Sequence, residues 1–236
     1  MSEKYSATGA ATDRWNPNDP TRNMDSTASE DRPLNYVQAR KEETRRRIVE
    51  TASRLFQEKG MDGVGVDEIM REAGLTHGGF YGHFRSKEQL IAEACACAVD
   101  QRSQRVREQL KGLDPEQAFL TFVDEHLSKV EGPDCPFSIL GGDVARRSDE
   151  VREAYTKKVG ALIDFMADEL GCGREEAILT FTAVVGAITV GRASTDPKFS
   201  ADLVKGVRSQ LLRMWHDRCG AEAAPATGKA KKRGGA

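Results

Sequence analysis

Between Glu43 and Lys59 the apolar residues Ile48, Val49, Ala52, Leu55 and Phe56 recur at the spacing of a single helix face, and Gly60 ends the run. Nowhere in the 236 residues do apolar and polar side chains alternate with the period of two that a half-buried strand needs, and no internal repeat appears. A chain patterned this way folds as helices packed on helices, and the expected fold class is all-α. Its hydrophobic content of 39% is enough for an ordinary core. The most apolar stretch, Ala177 to Gly191, contains three threonines and falls short of the ~20 residues that span a bilayer, so it reads as a buried helix and no membrane partner is expected.

The remaining helices can be placed by their caps. A short second helix covers about Val66 to Ala73, with Val66, Ile69, Met70 and Ala73 inward. Gly74, Leu75 and Thr76 separate it from a third, His77 to His83, whose N-cap is Thr76 and whose Phe80 and Phe84 share a face. Ser86 to Gln89 (SKEQ) is a capping box, which starts a helix running toward Leu110, and Asp114 to Gln117 (DPEQ) starts another that reaches about Val130. Further helices are expected near Ser138 to Arg146, Asp149 to Leu170 and Ala177 to Ala193, followed by a last one carrying the Val204, Val207, Leu211, Met214 seam. Residues 1–40 are polar and read as a disordered arm; residues 220–236 end in KAKKRGGA and read as a flexible basic tail.

Gly78 and Gly79 sit where the third helix should be strongest, although each glycine costs a helix roughly 1 kcal/mol relative to alanine. Two short helices joined by a three-residue turn make a helix-turn-helix, in which the second helix enters the DNA major groove. Missing side chains at its front allow close approach to phosphates and base edges. Local charge agrees, although the net charge is −2. Arg40 to Arg54 holds six basic residues against three acids, and Gly74 to Lys87 holds Arg85, Lys87 and two histidines with no acid at all.

The segments TRRRIVETASRLFQEKG, VDEIMREAGLT and GGFYGHFRSKEQL, within Thr44 to Leu90, resemble the N-terminal DNA-binding domain of TetR-family transcriptional regulators. The resemblance implies a DNA-binding domain over 41–101, with its helix-turn-helix at about 64–83, and a helical ligand-binding and dimerisation domain over 102–219. It implies a cytoplasmic, sequence-specific, homodimeric repressor, released by an unknown small-molecule effector from an approximately palindromic double-stranded DNA operator. Carried over by position, the DNA contacts are Thr76, His77, Gly78, Gly79, Tyr81 and His83, with Lys87 at the family's phosphate-binding lysine. One departure is the VGV at Val64 to Val66: many relatives place Thr or Ser at this helix start, whereas here Gly65 is the cap, and one or two of Arg45, Arg46 and Arg47 are expected to compensate, with Arg45 and Arg46 taken as the DNA contacts. The alternatives are a ligand-independent activator or architectural protein, or a carrier or enzyme with an incidental helix-turn-helix. The acid-poor Gly74 to Lys87 segment argues against the last.

The long apolar helix and the final seam suggest a subunit interface of Phe181, Val184, Val185, Ile188, Val204, Val207, Leu211, Met214 and Trp215. An effector pocket is expected among Phe119, Phe122, Val123, Cys135, Phe137, Leu140, Phe165, Met166 and Phe181. Cysteines 95, 97, 135, 172 and 219 are odd in number and fit no disulfide framework or metal spacing, which favours a reducing compartment. Cys95 and Cys97 lie two apart on a helix and cannot share one ion. Cys135, at a helix start, is either a thiol of lowered pKa suited to sensing electrophiles or a buried structural residue. No Gly-rich phosphate loop, nucleophile elbow or HExxH pattern is present, so neither catalysis nor a cofactor or metal is expected.

Overall fold

The structure, a computed structural model, describes residues 34–128, 130 and 135–222. Among them are eight α-helices, one 3-10 helix and no strand. The order is α1 (Leu34–Lys59), α2 (Val66–Glu72), the 3-10 helix (His77–Gly82), α3 (Lys87–Leu110), α4 (Pro115–Leu127), α5 (Pro136–Val144), α6 (Asp149–Glu169), α7 (Arg174–Ala193) and α8 (Pro197–Glu222).

The caps explain most boundaries. Ser86 Oγ accepts from the Gln89 N–H at 3.1 Å and Asp114 Oδ1 from the Gln117 N–H at 2.9 Å, so α3 and α4 begin where their capping sequences place them. Gly60 and Gly74 close α1 and α2 with φ of 77° and 68°, a conformation costly for any residue with a Cβ. α1 differs from expectation. It begins at Leu34 rather than near Glu43, so residues 34–40 are helix and not part of an arm. This first stretch has no buried face to give a periodic signal: Tyr36 and Val37 are 49% and 63% exposed. It is built instead from helix formers and an i,i+4 contact in which Gln38 donates to Glu42. The rest of the expected arm, residues 1–33, lies outside the described residues, as does the expected tail beyond Glu222.

From Thr44 onward the chain forms one compact unit. It has two apolar clusters. The head cluster gathers Ile48, Leu55 and Phe56 of α1, Ile69 and Met70 of α2, Phe80 and Phe84, and the first half of α3 from Leu90 to Ala98. The body cluster takes over at Val99 and continues through α4, α6, α7 and α8. α3 therefore belongs to both clusters. So does α5, whose Phe137 packs in the body and whose Leu140 and Val144 pack in the head. Complete burial of each large side chain, such as Phe56, Phe80 or Ile91, contributes about 1.5–3 kcal/mol.

α7 is the one helix among the described residues long and apolar enough to cross a bilayer. Its Ala177, Thr180, Phe181, Val184, Ala187 and Ile188 are nonetheless buried in the body, as for a core helix.

Candidate nucleic-acid interface and effector cavity

The turn between α2 and the 3-10 helix is fixed from within. The Leu75 N–H donates to the Met70 carbonyl at 2.8 Å, and Phe80 and Phe84, 1% and 2% exposed, stack with ring centroids 5.5 Å apart to anchor the element on the head cluster. The expected third helix is thus a short 3-10 element, with Gly79 N–H donating to Thr76 and His83 N–H to Phe80. Two adjacent glycines weaken an α-helix, and six residues are few enough for the tighter form.

With Phe80 inward, the opposite side presents Thr76, His77, Gly78, Gly79 and Tyr81 to solvent, and Tyr81 is 69% exposed. The Thr76 hydroxyl makes no capping bond. Gly78 and Gly79 have ordinary negative φ; a Cβ on Gly78 would meet nothing within 4 Å, and one on Gly79 would make only a normal 3.6 Å contact with Met70. Among the described residues, nothing in space or backbone conformation requires glycine at either position.

The expected basic residues divide. Arg45 is committed to the fold: its guanidinium pairs with Glu93, donates to the His83 carbonyl and lies 4.2 Å from the Phe84 ring centroid. It clamps the end of the 3-10 helix between α1 and α3 and does not face outward as a phosphate ligand, which corrects the expectation. Arg46 is exposed and bonded to Glu50 within its own helix at 3.1 Å. The Lys87 ammonium donates to the Met61 carbonyl at 3.0 Å, using one of its three protons and leaving two for a phosphate. His77 is paired through Nδ1 with Asp67 on α2, and its ring meets Tyr81 edge-on at 6.3 Å. His83 is half-buried beside Phe84. At the start of α2, Gly65 is the N-cap with no side-chain bond, so this contact position lacks a hydroxyl. Arg85 was not singled out as a contact by position, yet it is exposed, and among the described residues its side chain makes no hydrogen bond or ion pair. Its signal was the acid-free run around it.

In the body, a narrow cavity with room for about one water molecule (≈ 10 Å³) brings together Phe122, Cys135, Phe137 and Phe181 of the expected pocket. Val106, His126, Leu162, Val184, Val185 and Ile188 complete its wall. The other expected residues are elsewhere. Phe119 stacks on Trp215 at 4.5 Å, Phe165 lies under Arg107, Leu140 belongs to the head cluster, and Val123 and Met166 are fully buried core. The residue that sequence missed is His126. Its Nδ1 lies 2.7 Å from the Phe122 carbonyl, and because a carbonyl only accepts, Nδ1 carries the proton. Cys135 is 3% exposed, which places it as a wall residue rather than an accessible thiol, and burial pushes the Cys95 thiol up to about 12, far from a reactive thiolate.

Of the residues expected at a subunit interface, Phe181, Val184, Ile188, Leu211 and Trp215 are covered by their own chain, while Val185, Val204, Val207 and Met214 are partly covered. The apolar side chains that the two last helices leave open are different ones: Leu179 and Val190 on α7, 52% and 48% exposed, and Phe199 on α8, 46% exposed.

Among the described residues, an all-helical arrangement with a glycine-fronted second element of a helix-turn-helix, anchored on a three-element head, has the build of the helix-turn-helix class of DNA-binding proteins. Residues 48–94 match the family described as bacterial regulatory proteins, tetR family. The chain is 36% identical over 119 residues to the uncharacterised regulator YerO of Bacillus subtilis, a match covering 49% of this chain and 41% of YerO. It is 28% identical to the regulator LmrA of the same organism over 63% of this chain and 84% of LmrA. A TetR regulator from Chloroflexus aurantiacus superposes with a TM-score of 0.58 at 25% identity, over 73% of this chain and 94% of the other. The chain is thus similar to the tetR family over residues 48–94 and shares the all-helical fold of a solved TetR regulator.

Proposed function

We propose that the protein is a cytoplasmic homodimeric repressor whose two 3-10 elements enter successive major grooves of a roughly palindromic operator, about 34–36 Å apart, and which a small effector releases. The observation that carries this reading is the exposed Thr76 to Tyr81 surface, where two glycines have no steric or conformational reason within the chain. Thr76 and Tyr81 supply hydroxyls for phosphates, the α3 N-terminus and Lys87 supply positive potential, and His77 is the side chain nearest to base edges. His77 exchanges Asp67 for DNA on binding. Arg46 and Arg85 add phosphate contacts, and Arg45 supports the surface from behind.

Dimerisation is assigned to the open faces of α7 and α8. Leu179, Val190 and Phe199 are large, apolar and uncovered, and Gly186 and Gly206 have empty space where a Cβ would stand, so a second copy can approach closely. The effector enters the Phe122, Phe137 and Phe181 cavity. Its walls favour a mainly apolar, aromatic-compatible molecule. Because the space is nearly filled, binding must open it. α5 is suited to carry that displacement: it starts in the cavity wall at Cys135 and Phe137, and at its far end Asp143 accepts from the Met61 N–H at 3.2 Å, immediately after α1. Such coupling is typically ~1–3 kcal/mol between sites.

The test is genome-wide DNA capture with the full-length protein, followed by mobility shift on the captured sites. One or a few palindromic sites support the reading; broad occupancy identifies an architectural protein, and none removes DNA binding. Tyr81→Ala should weaken operator binding about tenfold with dimer mass and thermal midpoint unchanged. Unaltered affinity would take Tyr81 off the DNA surface.

A further inference from the structure

Folding brings one carboxylate onto the acid-poor surface of the helix-turn-helix. Asp67 is the second residue of α2, off the stripe of Ile69, Met70 and Ala73 that packs in the head cluster, and its side chain is 78% exposed. The other acids of α2 are matched by strong bases, Glu68 by Lys59 at 2.6 Å and Glu72 by Arg54 at 3.8 Å. Asp67 instead meets His77 Nδ1, across the turn that joins α2 to the 3-10 helix. The segment from Gly74 to Lys87 contains no acid of its own, so this negative charge reaches the surface only through the fold.

The contact is easily opened. His77 is 56% exposed, and a pair open to water on both sides contributes little to stability. A carboxylate oxygen only accepts, so Nδ1 is the donor. The His77 ring also meets Tyr81 edge-on at 6.3 Å, which places Asp67 beside two residues proposed to touch DNA. A negative charge at that place repels every phosphate that approaches, and binding to DNA of arbitrary sequence rests on phosphates. A base edge that offers a hydrogen-bond donor offsets this repulsion. In the major groove the donors are the amino groups of cytosine and adenine. Adenine sets its N7 acceptor beside the amino group, against the second carboxylate oxygen, whereas cytosine has no acceptor on that edge.

We infer, on the DNA-binding reading above, that Asp67 is a specificity-determining residue: its carboxylate disfavours binding through phosphates alone and accepts from the N4 amino group of an operator cytosine. His77, released by the same exchange, turns its Nδ1–H to an acceptor such as guanine N7 or O6. A purely structural role is the contrasting case. Asp67 lies in the first turn of α2, where a negative charge favours the helix, and that role alone leaves base preference untouched.

The test is fluorescence anisotropy of the full-length protein on an operator obtained by genomic capture, on the same duplex with each half-site base pair replaced in turn by the other three, and on a scrambled duplex. Wild type should require C·G at one half-site position and lose about tenfold or more in affinity with any other pair there. Asp67→Ala should reduce that preference to less than about threefold, keep the preferences at other positions, and bind the scrambled duplex more tightly than wild type. Asp67→Asn, of nearly the same size, should also bind the scrambled duplex more tightly and should shift the preference at that position toward A·T, because an amide pairs with adenine N6 and N7. Thermal midpoints and dimer mass identify a folding defect, and Asp67→Asn decides where Asp67→Ala unfolds. Unchanged preference at every position, a uniform loss on all duplexes, or unchanged or weaker binding of the scrambled duplex overturns the assignment. So does an operator with no required C·G pair. If wild type binds every duplex alike, or none, the repressor reading fails and this assignment falls with it. If wild type selects its operator and both variants select it equally, only the role of Asp67 falls.

Discussion

The head and the body bury apolar side chains equally well but hold them differently. In the head, packing is locked by polar clamps at its edges: Arg45 on Glu93 and the His83 carbonyl, Lys87 on the Met61 carbonyl, and Lys59 on Glu68 at 2.6 Å. In the body, aromatic rings lean on one another, Phe119 on Trp215 and Phe137 on Phe181, around a space left slightly unfilled. On the proposed function, a surface that meets DNA gains from fixed geometry, and a core that admits a guest gains from contacts that slide without leaving a charge unpaired. Rigidity then belongs to the reading end and compliance to the sensing end.

The comparison is broken most directly at Phe80. Its ring is fully buried, stacks on Phe84 and holds the exposed 3-10 element in place. Phe80→Ala should cost about 3–5 kcal/mol and abolish operator binding. Phe181→Ala in the body enlarges an existing cavity whose lining can collapse, and should fall at or below the lower end of that range. Urea denaturation of both variants decides the point: a larger loss for Phe181→Ala would place the fixed core in the wrong half.

Arg45 and Arg46 sharpen the comparison on neighbouring residues of one helix. Arg45→Ala leaves Glu93 and the His83 carbonyl without their donor and should destabilise by about 1–2 kcal/mol, reduced by partial solvent screening of a pair that is about one-third exposed. Arg46→Ala removes an exposed i,i+4 contact worth about 0.3–0.5 kcal/mol, and its main effect should be on operator affinity and the salt dependence of binding. Thermal denaturation beside a mobility shift separates the two roles. Equal stability losses would remove the clamp from Arg45.

These neighbours also show what the sequence discloses and what it withholds. Helix class, the caps at Ser86 and Asp114 and the inward Phe80 and Phe84 were legible because they depend on residues three or four apart, the reach of a helical turn. The surface around Gly78 was legible because two glycines in a helical stretch conflict with local propensity. Arg45 was misassigned because its partners lie 38 and 48 residues away, and no local rule distinguishes a clamp from a phosphate ligand. The interface residues of α7 went inward for a related reason. In a helix apolar on most sides, periodicity cannot say which face its own chain covers, and the most apolar face, with Phe181, Val184 and Ile188, is the internal one. His126 was missed because a single histidine has no spacing to read.

The smallest expected effect concerns the contact by which the body holds the head. Arg147 lies in the turn between α5 and α6, its side chain 15% exposed, and joins Asp62, in the segment after α1, to Glu88 at the start of α3, while Ser148 Oγ donates to Glu88 at 3.0 Å. The hydrogen bond from Arg147, and then its charge, hold the Asp62 carboxyl below the usual carboxylate range. A carboxyl whose pKa is lowered on folding contributes stability that is present above its unfolded value, about 3.9, and is lost as pH falls through the folded value. Wild type should therefore lose stability more steeply than Arg147→Gln as pH drops below about 5, and the gap between their thermal midpoints should narrow. Asp62 is well exposed to solvent, so this contribution is small and should shrink further in high salt. Parallel midpoint curves from pH 7 to pH 3 would mean that Arg147 is only a packing residue.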